Sequence, residues 1–204
     1  MKMFLDIETL PADEQHKADL LDIHTRKAEK AKKDIGSFAE FVENTGFDGS
    51  FGRICCIGYA IEDGPTKSLQ GDEPRMLQDF WAVAASVDLF IGFNLIDFDM
   101  RFIYQRSVVH GIKPTKVLNF ARYRTEPMYD VMWEWSKWST QPKISLHALA
   151  KALGLPSSKE GDIEGKDVAQ AFLAGRINDI CTYCEADVNL TRQMYRKLTF
   201  QPSV

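Results

Sequence analysis

The chain has 204 residues, 45% of them hydrophobic and 26% charged, with a formal net charge of −4. That length suits one domain with a sizeable core, and the acid excess argues against a binder that relies on surplus lysine and arginine. No run of about 18 uncharged apolar residues is present, so a membrane-spanning helix is not expected, and the opening MKMFLDIETL lacks the apolar segment of a secretory leader, which points to the cytosol.

Residues 2–7 read as a short buried strand with Asp6 and Glu8 at its end, two apart and so on one face. From 13 to 33, leucines and an isoleucine lie in a run of charge and alanine, which predicts an exposed amphipathic helix. Residues 43–52 are rich in turn formers. Arg53 to Ile61 (RICCIGYAI) predicts an apolar strand, and 66–70 can pair back across the turn at 62–65 as a hairpin. A helix is expected over 74–85, a buried strand over 88–93, and a helix over 97–110 stopped by Gly111.

The stretch 112–140 resists assignment; it carries Tyr129, Trp133, Trp135 and Trp138. Beyond it come a helix over 145–153 ended by Gly154, a loop over 159–165, a short helix over 168–173 and a long helix over 177–198. This order predicts an α/β domain with a mixed sheet flanked by helices. We expect 1–204 to form one domain, with a charged helical insertion at about 13–50. Cys55, Cys56, Cys181 and Cys184 are expected to be reduced. Neighbours in a strand point to opposite faces, so Cys55 and Cys56 are not expected to join Cys181 and Cys184 around zinc.

Three groups of residues carry chemistry. Asp6-Ile-Glu8 sets two acids at the end of an apolar strand, which is costly unless a cation or solvent meets them. Hard oxygen ligands suit Mg²⁺ or Mn²⁺. After the strand at 88–93, Asn94, Asp97, Phe98 and Asp99 lead into a helix, where acids also suit the dipole. Tyr183 and Asp187 stand four apart, one turn along a helix face.

In this order the three resemble the motifs of the DEDD exonucleases of the ribonuclease H-like superfamily: D-x-E at Asp6 and Glu8, N-x-x-x-F-D at Asn94, Phe98 and Asp99, Y-x-x-x-D at Tyr183 and Asp187. The resemblance selects Asp99 over Asp97. Thr182 stands where the histidine subclass has its histidine, so the tyrosine subclass is indicated. The chain looks most like standalone 3′→5′ exonucleases related to the proofreading domain of family B DNA polymerases, from residue 2 to about 196. The charged segment 13–34 has no place in that pattern.

The resemblance implies a ribonuclease H-like fold and two divalent cations, Mg²⁺ or Mn²⁺, held by Asp6, Glu8, Asp99 and Asp187. Tyr183 would orient the attacking water. Thr9 and Leu10 would lie beside the terminal nucleotide, with Asn94 and Phe98 lining the cleft; plain core packing is the competing account of Leu10 and Phe98. Lys143-Ile-Ser-Leu-His-Ala148 resembles K-x-x-h-x-A, whose lysine sits near the scissile phosphate. Arg101, Arg106, Arg122 and Arg124 are further candidates for phosphate contacts. The expected substrate is the 3′ end of single-stranded DNA, with short RNA and a non-catalytic nucleic-acid-binding module as alternatives. Association with a DNA polymerase or repair proteins is a further expectation, any proofreading then being done in trans.

Overall fold

The structure, a computed structural model, describes residues 1–32, 34–139, 143–156 and 163–202. At its centre is a mixed five-stranded sheet: β1 (Lys2–Leu10), β2 (Arg53–Ile61), β3 (Lys67–Gln70), β4 (Leu89–Gly92) and β5 (Met128–Asp130). Their order across the sheet is β3-β2-β1-β4-β5. The hairpin strands pair antiparallel, whereas β4 runs parallel to β1 and β5 parallel to β4. The helices are α1 (Lys17–Lys30), α2 (Phe38–Glu43), α3 (Glu73–Ala84), α4 (Asp99–Val109), α5 (Val131–Ser136), α6 (Leu146–Ala152), α7 (Val168–Leu173) and α8 (Ile177–Leu198).

Strand alternation divides β1 between two cores. Met3, Leu5 and Ile7 pack with Phe80 and Trp81 of α3 and Phe102 and Ile103 of α4. Phe4 packs on the other face with Val188, Leu190 and Met194 of α8. Asp6 and Glu8 continue the Phe4 row, so the same alternation aims them at α8. This helix sits close to the sheet because β2 carries Gly58: a Cβ there would lie 2.7 Å from the Cys184 sulfur and 3.2 Å from Val188. Fully burying a leucine or valine contributes roughly 1.5–3 kcal/mol, so α8 is held mainly by its apolar stripe.

The carboxyl ends of the parallel strands β1 and β4 lie on the same edge. A turn with Asn94 in the left-handed region (φ 59) carries the chain from β4 into the first turn of α4. Asp130 fixes that turn from β5: its carboxylate accepts the N–H groups of Asn94, Ile96, Met132 and Trp133, at 3.0–3.2 Å. It thus caps α5 and ties the 94–97 backbone in one step. Burial outweighs these bonds and raises its pKa to about 6.

Several expectations needed correction. β1 does not end at residue 7 but continues to Leu10, so Glu8 is internal to the strand. Between Glu8 and Thr9 the partner on β2 jumps from Cys56 to Ile54, making Cys55 the extra residue of a β-bulge. Opposite-facing cysteines are therefore not what forms: Cys55 and Cys56 both join Cys181 and Cys184 in one buried cluster with Leu10 and Ile180. The 43–52 stretch holds the end of α2 and a 3-10 turn over Asn44–Phe47. The unassigned region forms β5 and α5. Of the loop expected at 159–165, residues 159–162 lie outside the described residues.

Candidate active site

Five of the residues singled out in the sequence converge where β1, α4 and α8 meet. Asp6 is half-buried; Glu8, Asp99 and Asp187 are 8%, 2% and 5% exposed. Asp99 is aimed inward by the first turn of α4 and its Oδ1 accepts the Ile7 N–H at 3.1 Å, which locks it to the catalytic-candidate strand. Asp187 and Tyr183 stand one turn apart on the face of α8 that packs on the sheet.

The acids act on one another electrostatically, although Asp99 and Asp187 stand outside the tightest group, in which ligand atoms lie within 4.8 Å of one another. The pKa of Asp6 is raised well above the carboxylate range, first by burial, then by repulsion from Asp99, Glu8 and Asp187. Glu8 is raised for the same reasons, with Asp187 and Asp99 acting on it. Asp99 is pushed up to about 8, chiefly by burial, although the backbone bonds oppose the shift. Burial also pushes the Tyr183 phenol up, reinforced by the charges of Asp187, Glu8 and Asp6 and by its hydrogen bond with Asp187. The phenol therefore stays protonated at neutral pH.

Cys184 reaches the same spot from α8, its sulfur 3.4 Å from the Asp6 carbonyl and 3.5 Å from Asp6 Oδ2. Among the described residues, Asp6, Glu8 and Cys184 form the one group of three whose potential ligand atoms all lie within 4.8 Å of one another. The four cysteines do not make such a group among themselves.

The remaining candidates sit around this centre. The Thr9 hydroxyl donates to the Gly46 carbonyl at 2.7 Å, so it is engaged by the 3-10 turn beside the strand end. Leu10 is buried among Cys55 and Ile180, yet it also lines a cavity of about 620 Å³ with Leu20, Phe38, Val42 and Phe172. Phe98 is half-buried against the α3–α4 core, 5.7 Å ring to ring from Phe102. Lys143 donates to Asn94 Oδ1 at 3.2 Å and to Asp97 Oδ2 at 3.1 Å, which places its ammonium on the turn preceding Asp99. Arg106 is withdrawn from the phosphate candidates: it is 4% exposed and bonded to Glu73 at 2.7 and 3.0 Å. Sequence reading missed Asp130; an acid directly before the helical run Val131-Met-Trp is the N-cap signal that could have found it.

None of the described helices is long and apolar enough to cross a membrane. No curated protein matches the chain. Among solved structures, the family B DNA polymerase of the hyperthermophilic archaeon Pyrobaculum calidifontis is similar over 97% of this chain, with a TM-score of 0.64 and 14% identity. The chain spans 24% of that polymerase's length, and the likeness shows the α/β, ribonuclease H-like fold. Residues 54–202 match the family described as predicted 3′-5′ exonuclease related to the exonuclease domain of PolB. That match begins at β2 and runs through α4 and α8 to the end of the described chain, so the protein belongs to this family of predicted 3′-5′ exonucleases, a class of hydrolase.

Proposed function

We propose that the protein removes nucleotides one at a time from the 3′ end of single-stranded DNA, using two divalent cations, Mg²⁺ or Mn²⁺. The observation that carries this reading is the convergence of four carboxylates from three elements, with Asp6, Glu8 and Asp99 each raised first by burial and then by neighbouring acids: Asp99, Glu8 and Asp187 act on Asp6, Asp187 and Asp99 on Glu8, and Asp130 and Asp187 on Asp99. Such a set is unstable as bare anions, and hard cations are what oxygen donors of this kind accommodate. In this reading residues 1–204 act as one exonuclease domain, and the 13–50 segment walls the cavity beside Leu10.

Asp6, Glu8, Asp99 and Asp187 would hold the ions. When bound, the pair lowers the pKa of a water and offsets charge on a leaving oxygen. Tyr183, protonated and hydrogen-bonded to Asp187, orients the attacking water rather than removing its proton. Water attacks phosphorus, the bond to the 3′ oxygen breaks, and a nucleoside 5′-monophosphate leaves. Lys143, Asn94 and Phe98 would line the approach to the scissile phosphate, and Thr9 and Leu10 the terminal nucleotide. An association with a DNA polymerase or repair proteins would fit a reaction of this kind.

The test is a time course on 5′-labelled DNA and RNA oligomers of one sequence, with Mg²⁺ or Mn²⁺, beside EDTA and Asp6→Ala. We expect a ladder shortening from the 3′ end, faster on DNA, and lost in both controls. Faster cleavage of RNA would move the substrate assignment to RNA. A folded wild-type protein that cuts neither polymer would overturn the reading and favour a binding module.

A further inference from the structure

The aromatic stretch that sequence alone leaves without a role forms a surface beside the carboxylates. Its hub is Asp97, two residues before Asp99. Lys143 lies 3.1 Å from this carboxylate, Arg122 3.7 Å and Arg101 4.0 Å. Three cations around one acid leave a local positive excess on a chain whose net charge is −4. All three are about half-exposed, so the excess faces solvent.

The cations are continuous with a stack of rings. The Trp133 indole N–H donates to Asp97 at 3.1 Å, and Lys143 and Arg122 lie over its ring at 5.1 and 5.3 Å. Trp138 stacks on Trp133 with centroids 5.5 Å apart and planes 7° apart. Tyr123 leans on Trp138, 5.3 Å away and tilted by 44°, and is 75% exposed. Tyr123, Lys137 and Trp138 all hold a left-handed backbone, at φ 65, 49 and 61. Lys137 is the left-handed C-cap of α5, and bulky residues such as Tyr123 and Trp138 rarely adopt that region.

We propose that this patch is the track for the single strand on the 5′ side of the scissile bond. Arg122 and Arg101 take phosphates, and Tyr123, backed by the half-buried Trp138, supplies the exposed face on which an unpaired base stacks. The proposal rests on the exonuclease reading: a strand whose 3′ end lies among the carboxylates leaves past Asp97 and outward over the rings. A duplex hides its base faces, so ring stacking selects single strands and tolerates any sequence. An acidic peptide would use the cations and leave the rings idle.

Binding and turnover test the track separately. Tryptophan fluorescence quenching by a thymidine oligomer in EDTA gives affinity without cleavage; steady-state assays with Mn²⁺ give kcat and KM. Arg122→Ala and Tyr123→Ala are compared with Arg75→Ala, an exposed arginine on α3 that pairs with Asp79. We expect Tyr123→Ala to weaken binding at least about fivefold, and Arg122→Ala to lower the slope of log affinity against log salt by about 0.7–1. Both should raise KM more than they lower kcat, and Arg75→Ala should do neither. Wild-type cleavage with unchanged KM in both variants overturns the track and leaves the exonuclease reading standing. Quenching that depends on Arg122 and Tyr123 in a protein that never cleaves overturns the exonuclease reading, and with it the scissile bond that defines the track, and leaves a single-strand-binding surface. Loss with Arg122→Ala alone, or equal loss with Arg75→Ala, reduces the patch to a general polyanion surface and overturns the stacking role.

Discussion

Helix α4 joins two buried carboxylate clusters that solve the same problem in opposite ways. At its first turn Asp99 faces Asp6, Glu8 and Asp187, and acid meets acid. Two turns on, Arg106 and His110 meet Glu73, whose carboxylate also accepts the Ile54 N–H at 2.7 Å. Despite burial, hydrogen bonds from Arg106, Ile54 and His110 and the Arg106 charge hold Glu73 below its ordinary pKa. The Asp99 cluster has its acids raised instead. One cluster is complete within the protein and braces α3, α4 and β2; in the other, among the described residues, Asp6, Glu8 and Asp99 are set against neighbouring acids where the motifs converge. A buried charge that the chain itself does not balance is the mark of a site that binds something.

Removing the compensation at the first cluster should give the largest effect. Arg106→Ala leaves Glu73 buried without its cation, a change that costs about 3–5 kcal/mol. Urea unfolding should show this as a lower midpoint with an unchanged m-value. Asp99→Asn should do the reverse in metal-free protein: it removes repulsion while an amide oxygen can still accept the Ile7 N–H, so stability rises as exonuclease activity is lost. A loss below about 1 kcal/mol in Arg106→Ala would mean that the Glu73 cluster is not the structural counterpart it resembles.

Supplying the missing charge should come next in size. A cation that binds only the folded state stabilises it by about 2.7 kcal/mol at a hundredfold excess over its Kd. For a chain of this length that corresponds to a Tm rise of roughly 5–10 °C. Differential scanning fluorimetry with Mn²⁺ should show the rise in wild type and Arg75→Ala, and much less of it in Asp99→Asn. A wild-type Tm indifferent to Mg²⁺ and Mn²⁺ at millimolar levels would remove the cation from the comparison.

A smaller effect should follow from moving α8 without touching an acid. The Cβ of Gly58→Ala would sit 2.7 Å from the Cys184 sulfur and 3.2 Å from Val188, so α8 must shift outward. Overpacking of this kind costs about 1–3 kcal/mol. Activity should fall further than stability alone explains, because the shift carries Asp187 and Tyr183 away from Asp6 and Glu8. Gly165→Ala, where a Cβ meets nothing within 4 Å, is the control and should leave both unchanged. Equal activity in the two variants would show that the carboxylates tolerate a looser α8.

Most of this frame was legible in the residues, and the parts that were not have physical causes. β2, β3, α3, α7 and α8 carry clear periodicity between strong turn signals, and each forms within a residue or so of its expected bounds. β5 has only three residues, too few to show alternation, and the tryptophans after it are spaced for presentation rather than for one helix face. The bulge at Cys55 breaks alternation in a strand that reads as perfectly regular, so the gathering of four thiols could not be foreseen. Nor could periodicity decide between Asp97 and Asp99, since both precede the same helical run. The distinction arises from the left-handed Asn94 and the grip of Asp130 on the turn, which send Asp99 inward to the Ile7 N–H and Asp97 outward to Lys143.

The two clusters should finally separate by pH, with a slope of at most about 1.4 kcal/mol per pH unit for each proton. Asp99 binds its proton up to about pH 8 in the folded chain but releases it near 3.8 when unfolded. Between those values the folded state holds the extra proton, so this contribution is fully present below about pH 3.8 and is lost as pH rises towards 8. Glu73 has the opposite sign, its folded pKa lying below 4.5. Its contribution is fully present above 4.5 and is lost as pH falls through the lowered value. In EDTA, wild-type stability should therefore decline from the weakly acidic range to pH 8, and Asp99→Asn should flatten that decline. Saturating Mn²⁺ should flatten or invert it, because the cation takes the place of the protons and binds better as they leave. The acid limb below pH 4.5 should be unaffected by Mn²⁺ and reduced by Arg106→Ala. If Mn²⁺ shifts the acid limb and leaves the neutral one alone, the roles assigned to the two ends of α4 are reversed.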